Sequence, residues 1–373
     1  MPEVEILTTD SEIVDLALTL SKQTSVAVDF EMDALHNYRE KVCLMQVSIP
    51  DRDLIIDPLA GADLKPLAPV FAAQKIRKIF HAADYDLRSL RRDYRFEVTG
   101  LFDTMVAAQL CGEEKIGLAD LLQKYFGVEL DKKYQKADWS KRPLSPEMIR
   151  YAAADTCYLH RLAELMEARL RELGRHEWLE EECRWLEAVE FEQNSGPLFL
   201  RFKGAGRLEP QQLAVLEELL QWRDQEAERR NCPLFKVIGN KPILQIAQNR
   251  PLSRKQLSEF PEFPPRLVDR YGKVLLACVE RALAQQESEW PRYPRSERPK
   301  RDPQVDSVVA KMKKWRSGRA EGLSIEPGVL INNALLEAIA RNRPKSVEKL
   351  SDVAGLRRWQ IAEMGAELVD LVD

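Results

Sequence analysis

The sequence places several acidic side chains where carboxylates could act together. Asp29 and Glu31 alternate at the end of an apolar run, and in a strand with a period of two residues both point to one face. Asp86 stands at the start of a helical pattern that follows a second apolar run. Asp155 comes four residues after Tyr151, so in a helix these two side chains share a face. These residues are the candidates for a reactive site.

Clustered carboxylates are suited to divalent metal ions. Mg²⁺ and Mn²⁺ are hard cations that prefer carboxylate oxygens. Two such ions roughly 4 Å apart can activate a water and stabilise the leaving oxygen of a phosphodiester. We therefore predict two divalent metal ions, Mg²⁺ or Mn²⁺, as cofactors, with the phenol of Tyr151 holding the attacking water. The predicted metal ligands are Asp29, Glu31, Asp86 and Asp155.

Each of these signals also has an ordinary explanation. An Asp-x-Glu sequence at a strand end is usually a solvated edge, and a Tyr and an Asp one helical turn apart often form a surface hydrogen bond. His81 is also explained as a histidine with its hydrogen bonds satisfied at a strand end, and Asp103 is expected to cap a helix. The order and the surroundings of these residues predict the chemistry, and no single motif does.

The segments around the candidate residues alternate between strand-like and helix-like patterns. Strands are predicted for short apolar runs at residues 4–7, 26–30, 43–49, 54–57 and 76–80. Helices are predicted at residues 9–20, 64–73, 84–92, 104–110 and 118–125, and a long helix is predicted from residue 145 to beyond residue 170, with a possible break at Gly174. Together these elements predict an α/β domain with helices on a mixed sheet.

The C-terminal part of the chain is predicted to be helical and repeated. Trp222-Arg223, an Ile-Ala pair and Leu257 recur as Trp315-Arg316, an Ile-Ala pair and Leu350, with the same spacing from the pair to the leucine. A stretch rich in proline and basic residues between the repeats predicts an extended linker. The predicted boundaries are 1–207 for the α/β domain, 208–287 for the first helical domain, 288–302 for the linker and 303–373 for the second helical domain.

The composition is that of a globular protein. Of 373 residues, 45% are hydrophobic, and no apolar run approaches the roughly 18 residues of a membrane helix. The N-terminal residues lack a signal-peptide pattern, and the six cysteines are too dispersed for clustered zinc ligands or a disulfide framework. We expect a cytoplasmic protein without a membrane partner, and the modular layout is compatible with a monomer. The net charge of −4 means that any phosphate-binding surface would be local.

Taken together, the motifs resemble the DEDD superfamily of 3′–5′ exonucleases, in its tyrosine-bearing branch, and specifically the ribonuclease D family. The resembling segments are residues 28–31 with 42–48, residues 80–87 with 102–104, and residues 151–155 preceded by 138–144. The two C-terminal repeats resemble HRDC domains. This resemblance implies a ribonuclease H-like exonuclease domain, a mixed sheet flanked by helices, followed by two all-α HRDC-type domains.

The resemblance also implies an activity. It implies removal of 5′-mononucleotides from RNA 3′ ends by two-metal-ion hydrolysis, with tRNA precursors or other structured RNAs as substrates. Asp29, Glu31, Asp86 and Asp155 correspond to the metal-binding acids and Tyr151 to the residue that positions water; Asp86 fits the family spacing better than Asp84. A further set is implied to bind the RNA end or support the site: Gln46, His81, Lys133, Trp139 and Arg142.

Several alternatives remain open from the sequence. A DNA exonuclease would use the same carboxylates, because the chemistry acts on the phosphate, although the chain contains no helicase-type phosphate loop. An inactive nucleic-acid-binding scaffold is a second alternative, but it would normally show the loss of an acid. The HRDC-type domains are expected either to hold structured RNA or to serve stability. The linker contributes basic residues that could contact RNA: Arg292, Arg295, Arg298, Lys300 and Arg301.

Overall fold

The computed structural model describes residues 4–190, 196–294 and 302–372. The chain forms two compact units. The first comprises Met1–Met32, Lys41–Phe191 and Pro299–Asp373, and the second comprises Asp33–Glu40 and Glu192–Arg298. Within the described ranges, no helix is both long enough and apolar enough to cross a membrane.

A six-stranded mixed sheet forms the centre of the first unit. Its strands are β1 (Glu5–Leu7), β2 (Ser25–Met32), β3 (Val42–Ile49), β4 (Arg52–Ile56), β5 (Arg77–Phe80) and β6 (Leu101–Asp103). They lie in the order β1-β4-β3-β2-β5-β6. The strand β3 runs antiparallel to β2 and β4, whereas β2, β5 and β6 run parallel to one another. Every residue of β3 is buried, as expected for an inner strand covered on both faces.

Eight α-helices of the first unit accompany the sheet. They are α1 (Asp10–Leu20), α2 (Ala68–Ala72), α3 (Asp84–Tyr94), α4 (Thr104–Leu110), α5 (Leu118–Phe126), α6 (Pro146–Ala154), α7 (Leu159–Glu172) and α8 (His176–Glu187). Thr9 and Glu12 form a capping box at the start of α1, and the Ser145 hydroxyl accepts the N–H of Met148 at the start of α6. The local rules of helix capping therefore explain where α1 and α6 begin.

Two predicted helices differ from the structure, and one short strand is additional. The long helix expected from residue 145 is interrupted after Ala154. Thr156 lies in the break, buried, and its hydroxyl accepts a hydrogen bond from the Ser48 hydroxyl at 2.7 Å; this contact with a distant strand fixes a turn that helical periodicity does not reveal. The helix expected at 64–73 is a 3₁₀ turn, Lys65–Leu67, followed by α2, because two prolines interrupt its backbone hydrogen bonds. The three-residue strand β6 was not predicted.

The second unit is helical. Its helices are α9 (Pro210–Arg229), α10 (Leu234–Val237), α11 (Asn240–Asn249), α12 (Arg254–Ser258) and α13 (Pro265–Ala284). Asp33–Glu40 belongs to this unit: the Asn231 side-chain amide donates to Asn37 Oδ1 at 2.9 Å, and Arg39 pairs with Glu228 at 2.8 Å. The loop that follows β2 in sequence is thus held by the end of α9.

The predicted linker coincides only partly with the described residues, because residues 295–301 lie outside them, including Arg295, Arg298, Lys300 and Arg301. Its described beginning is packed rather than extended. The ring of Tyr293 lies 6.2 Å from that of Phe199, and its hydroxyl donates to the Leu200 carbonyl at 3.2 Å. Tyr293 has a large apolar surface that is stabilised by packing. The prediction of an extended linker used only the proline and basic residues of the segment and did not consider this ring.

The second helical repeat belongs to the first unit. Its helices are α14 (Pro303–Leu323), α15 (Pro327–Leu330), α16 (Asn333–Asn342) and α17 (Arg358–Val372). The two repeats make an equivalent contact: Arg223 donates to the Ile238 carbonyl at 3.3 Å, and Arg316 donates to the Ile331 carbonyl at 2.8 Å. The repeated Trp-Arg pair in the sequence therefore marks a repeated structural contact.

The second repeat is packed closely on α8. The rings of Trp178 and Trp359 stack with their centroids 4.3 Å apart. The Glu181 carboxylate accepts the backbone N–H groups of Arg358 at 2.8 Å and Trp359 at 3.0 Å, so a residue of α8 satisfies free amides at the start of α17. This packing makes the repeat part of the body that contains the sheet.

Truncation of Trp359 tests how much this packing contributes to stability. Its side chain is buried, and its indole N–H donates to Glu182 at 2.9 Å. We expect Trp359→Ala to lower the free energy of unfolding by about 3–5 kcal/mol, measured by chemical denaturation followed by circular dichroism. Trp185→Ala is the matched control, because Trp185 is exposed and its ring face contacts Arg357 at 4.1 Å; about 1 kcal/mol is expected there. Equal losses in the two variants would contradict the role of the stacked pair.

Candidate active site

The candidate acids are brought together by neighbouring elements of the first unit. Asp29 and Glu31 lie on β2, and Asp86 lies in the first turn of α3, which follows the adjacent parallel strand β5. Asp155 is the residue that ends α6, rather than an internal helix residue. Because β2 and β5 are parallel, their carboxyl ends meet at one edge of the sheet, and this edge receives the carboxylates.

Electrostatics shows that the four carboxylates affect one another. Burial raises the pKa of Glu31, and the charges of the other three, Asp29, Asp155 and Asp86, raise it further. Burial also raises the pKa of Asp86 and of Asp155, and in both the charge of Asp29 adds to the effect. The pKa of Asp29 is raised by burial as well. Each carboxyl therefore resists ionisation, and ionisation of all four would concentrate negative potential in this region.

This potential fits a divalent cation. Within the part of the chain that the structure describes, none of the four carboxylates has an ion pair with Lys, Arg or His. Buried carboxylates are costly unless they are paired or bind a metal. Nevertheless, no three His, Cys, Asp or Glu side chains of the described ranges are already arranged as a complete ligand set. The four side chains interact electrostatically in one region, and they are the described residues whose oxygens would suit a divalent cation.

Tyr151 lies among the same residues. Burial raises the pKa of its phenol above the usual value, and the charges of Asp155, Glu31 and Asp29 add to this effect. The phenol consequently stays protonated at neutral pH and can donate a hydrogen bond. Its ring is held between two aromatic side chains, with centroid distances of 5.9 Å to Trp139 and 5.8 Å to Tyr134.

A cavity of about 290 Å³ lies next to Tyr151 and Asp155. Its lining also includes Lys133, Tyr134 and Arg150. The ammonium of Lys133 lies 5.1 Å from the centre of the Tyr134 ring. Cationic and aromatic groups therefore border the cavity beside the acids, and such groups contact the backbone and bases of single-stranded nucleic acid.

Asp84 and Asp86 lie in different environments. The Asp84 carboxylate is exposed and pairs with Arg88 at 3.0 Å on the outer face of α3. Asp86 is buried and lies within the electrostatic influence of Asp29. The choice of Asp86 over Asp84 on sequence spacing is consistent with this placement.

The five residues implied to bind RNA or support the site lie in different environments. Gln46 is fully buried, and it is paired with Asp29 across the β2–β3 ladder. Trp139 is also buried. The ring of His81 shares a 2.9 Å hydrogen bond with the Thr104 hydroxyl, and burial lowers its pKa, which favours the neutral imidazole. These placements favour support of the site for all three, whereas Lys133 is exposed beside the cavity.

Every N–H donor of the Arg142 guanidinium bonds to the protein, although the side chain is 29% exposed. Its guanidinium donates twice to the Asp57 carboxylate, both at 2.6 Å, and to three backbone carbonyls: Trp139 at 2.7 Å, Lys141 at 2.8 Å and Cys43 at 3.0 Å. A guanidinium has five N–H donors, so none is left for an RNA phosphate. This geometry favours support of the site over the RNA contact expected from the sequence.

Asp103 has a second role beyond the predicted helix cap. As expected, its carboxylate accepts the N–H groups of Met105 at 2.8 Å and Val106 at 3.2 Å, which begin α4. It also accepts the N–H groups of Ala82 at 3.1 Å and Ala83 at 2.7 Å, just before α3. One buried carboxylate thus fixes the turn that leads into the helix of Asp86. Only the capping pattern was visible in the sequence.

Comparison with known proteins agrees with this architecture. Residues 4–171 match the family model of a 3′–5′ exonuclease, and residues 212–279 and 306–372 each match that of an HRDC domain. The ribonuclease D of Acidiphilium cryptum is 30% identical over 325 residues, which cover 86% of this chain and 82% of that protein. The chain belongs to the ribonuclease D family. The ribonuclease D of Pseudomonas paraeruginosa is 28% identical over 100% of this chain and 98% of its own.

A solved structure supports the fold of this ribonuclease D family member. Escherichia coli RNase D matches with a TM-score of 0.75 at 24% identity, covering 99% of this chain and 98% of that chain. The fold class predicted from the sequence, an α/β exonuclease domain followed by two helical HRDC domains, is confirmed. The protein is a 3′–5′ exoribonuclease, a hydrolase that acts on RNA. Exonucleases of this family use divalent metal ions.

Proposed function

We propose that this exoribonuclease trims the 3′ ends of tRNA precursors or other structured RNAs, releasing 5′-mononucleotides, and that it acts as a cytoplasmic monomer. The observation that supports the site is the convergence of four mutually interacting carboxylates, Asp86 buried and the other three half-buried, beside the Tyr151 phenol. Structured RNA is also the kind of substrate that the matched E. coli enzyme processes.

The proposed metal ligands are the four carboxylates, Asp29, Glu31, Asp86 and Asp155. When bound, two divalent ions supply the positive charge that activates water and stabilises the leaving oxygen. The protonated Tyr151 phenol orients the attacking water by a hydrogen bond, and the flanking rings of Trp139 and Tyr134 hold it in place.

The cavity beside Tyr151 is the proposed place of the terminal nucleotide. Its volume of about 290 Å³ is at the lower end of the range of small-ligand pockets. Lys133 offers charge for a phosphate, and Tyr134 offers an aromatic face for a base. Contacts of this kind do not read base edges, so the proposed enzyme trims without strict sequence preference.

A comparison of RNA with DNA tests the proposal. Three 5′-labelled substrates would be incubated with Mg²⁺ or Mn²⁺: a tRNA precursor with a 3′ trailer, single-stranded RNA and DNA of matched sequence. We expect ladders that shorten from the 3′ end, at least about tenfold faster on RNA than on DNA, with no cleavage in EDTA and recovery on addition of excess metal.

Other outcomes would contradict the proposal. Equal or faster digestion of the DNA strand would favour a DNA exonuclease. Failure to degrade any substrate with metal present would favour a nucleic-acid-binding scaffold. Trimming of the single strand but not of the precursor would overturn the tRNA assignment alone. Sedimentation of the purified protein would test the monomer.

A further inference from the structure

We propose that the Asp57–Arg142 ion pair is a positioning device for Tyr151, acting through Trp139. The inference rests on the proposed role of Tyr151. Neither residue of the pair touches the carboxylates of the site, and Asp57 has no role in the chemistry described above. The proposed role of the pair is to orient the phenol of Tyr151, which lies on α6.

The pair is held by a complete set of hydrogen bonds, with Asp57 buried and the Arg142 side chain 29% exposed. Asp57 follows β4 directly and is buried; besides its two bonds to Arg142, its carboxylate accepts the Leu59 N–H at 3.0 Å. The guanidinium is planar, and its two bonds to one carboxylate fix its orientation as well as its position. Because all five donors are engaged, the position and orientation of the Arg142 guanidinium are fixed by its partners.

Arg142 also holds two backbone segments that lie near Tyr151. One donor holds the carbonyl of Trp139, and another holds the carbonyl of Cys43 on β3. Trp139 is buried in a cluster that includes Cys43 and two residues of α6, Ala152 and Ala153. The pair thus links the end of β4, the loop before α6 and the inner strand β3 around one indole ring.

The indole is the surface against which Tyr151 rests. The two rings are 5.9 Å apart, centre to centre, with a tilt of 34°. A shift of the Trp139 backbone would move the indole and hence the phenol relative to the carboxylates. A misplacement of about 1 Å at a reacting group can reduce a rate by about 100-fold. Loss of the ion pair is therefore expected to affect the chemical step and not the binding of RNA.

A double-mutant cycle on kcat tests this inference. Asp57→Asn keeps the side-chain shape but replaces one acceptor oxygen with a donor that faces the guanidinium. We expect Asp57→Asn to reduce kcat on single-stranded RNA by about 10- to 100-fold, with KM changed by less than about threefold. In a Tyr151→Phe background, the same substitution should reduce kcat by less than about twofold, because the phenol that the pair positions is already gone.

The Arg77–Glu167 pair is the matched control. It is also a two-bond guanidinium–carboxylate pair of the first unit, at 2.8 and 3.1 Å, but its partners lie on β5 and α7 and contact no ring beside Tyr151. Glu167→Gln should lower the Tm while leaving kcat within about twofold of the wild-type value. A comparable loss of kcat in Glu167→Gln would assign both effects to stability and overturn the inference.

Two further outcomes are decisive. If Asp57→Asn lowers kcat by the same factor in the wild-type and Tyr151→Phe backgrounds, the pair does not act through the phenol and the inference is wrong. If Tyr151→Phe alone retains wild-type kcat, it is the proposed role of Tyr151 that fails. Should Asp57→Asn not fold, the same cycle with Arg142→Lys, which removes the two-bond geometry of the pair, tests the same link, and a loss of kcat that vanishes in the Tyr151→Phe background supports it.

Discussion

Glu31→Gln is expected to reduce RNA hydrolysis by about 1,000-fold and, at the same time, to raise the Tm of the metal-free protein. The loss of activity follows from removal of a carboxylate from the proposed metal site. The gain in stability follows first from the burial of the Glu31 carboxyl, and then from the charges of the three other carboxylates near it, because both disfavour its ionised form. A residue that only supported the fold would show the opposite change in Tm.

The pH dependence gives the sign of the stability effect. Burial and neighbouring charges raise the pKa of Glu31 from its usual value of 4.5 to about 10. Between these values the folded state binds a proton that the unfolded state does not, so the wild-type protein loses stability as the pH rises. The amide that replaces this carboxyl in the variant does not titrate, so residue 31 no longer makes the free energy of unfolding depend on pH. The advantage of the variant should be large at pH 8 in EDTA and small near pH 4.5.

Thermal unfolding of both proteins in EDTA at the two pH values measures this effect, and the ladder assay measures activity. Asp84→Asn is the control, since Asp84 is an exposed acid paired with Arg88 on α3; its activity should stay within about twofold of the wild-type value. A lower Tm for Glu31→Gln than for the wild type at pH 8 would show that the carboxylates are not in conflict.

The sheet was largely predictable because its strands are short apolar runs. The segment 43–49 has five apolar side chains besides Gln46 and Ser48, and a strand of that kind needs cover on both faces, which β3 has. What the sequence did not reveal depends on distant contacts. The turn after α6 is fixed by the Thr156–Ser48 hydrogen bond, and the loop Asp33–Glu40 belongs with the first helical repeat.

Local geometry in the sequence predicted that Asp29 and Glu31 share one face of β2, whereas the grouping of all four candidate acids came from the family resemblance. The supporting residues could not be assigned in the same way. An arginine such as Arg142 is a residue type that often binds RNA, yet its main partner is Asp57, 85 residues earlier. Which acceptors the five N–H donors of a guanidinium reach is decided by contacts in the folded chain.

The HRDC-type repeats were expected either to hold RNA or to serve stability, and the second repeat packs against the body that contains the sheet. Its helix α17 packs on α8 through the Trp178–Trp359 stack and receives a cap from Glu181. The surface engaged in this way is covered by protein. Any RNA contact of the second repeat must therefore use other faces.

Tyr151→Phe is expected to reduce kcat by about 100-fold or more while leaving KM and the Tm almost unchanged. The hydroxyl is the only group removed, and the aromatic contacts with Trp139 and Tyr134 are retained. A hydrogen bond that orients water contributes to the chemical step, so its loss appears in kcat. Single-turnover cleavage of 5′-labelled RNA separates this step from binding and release.

The environment of the phenol adds a pH expectation. Because burial and the nearby carboxylates raise the pKa of Tyr151, its ionisation does not reduce the wild-type rate at moderately alkaline pH. Tyr158→Phe is the matched control: Tyr158 stacks on Phe126 at 6.4 Å, and its rate should stay within about twofold of the wild-type value. If Tyr151→Phe raises KM instead of lowering kcat, the phenol contacts RNA, and the orientation of water must be assigned to the carboxylates alone.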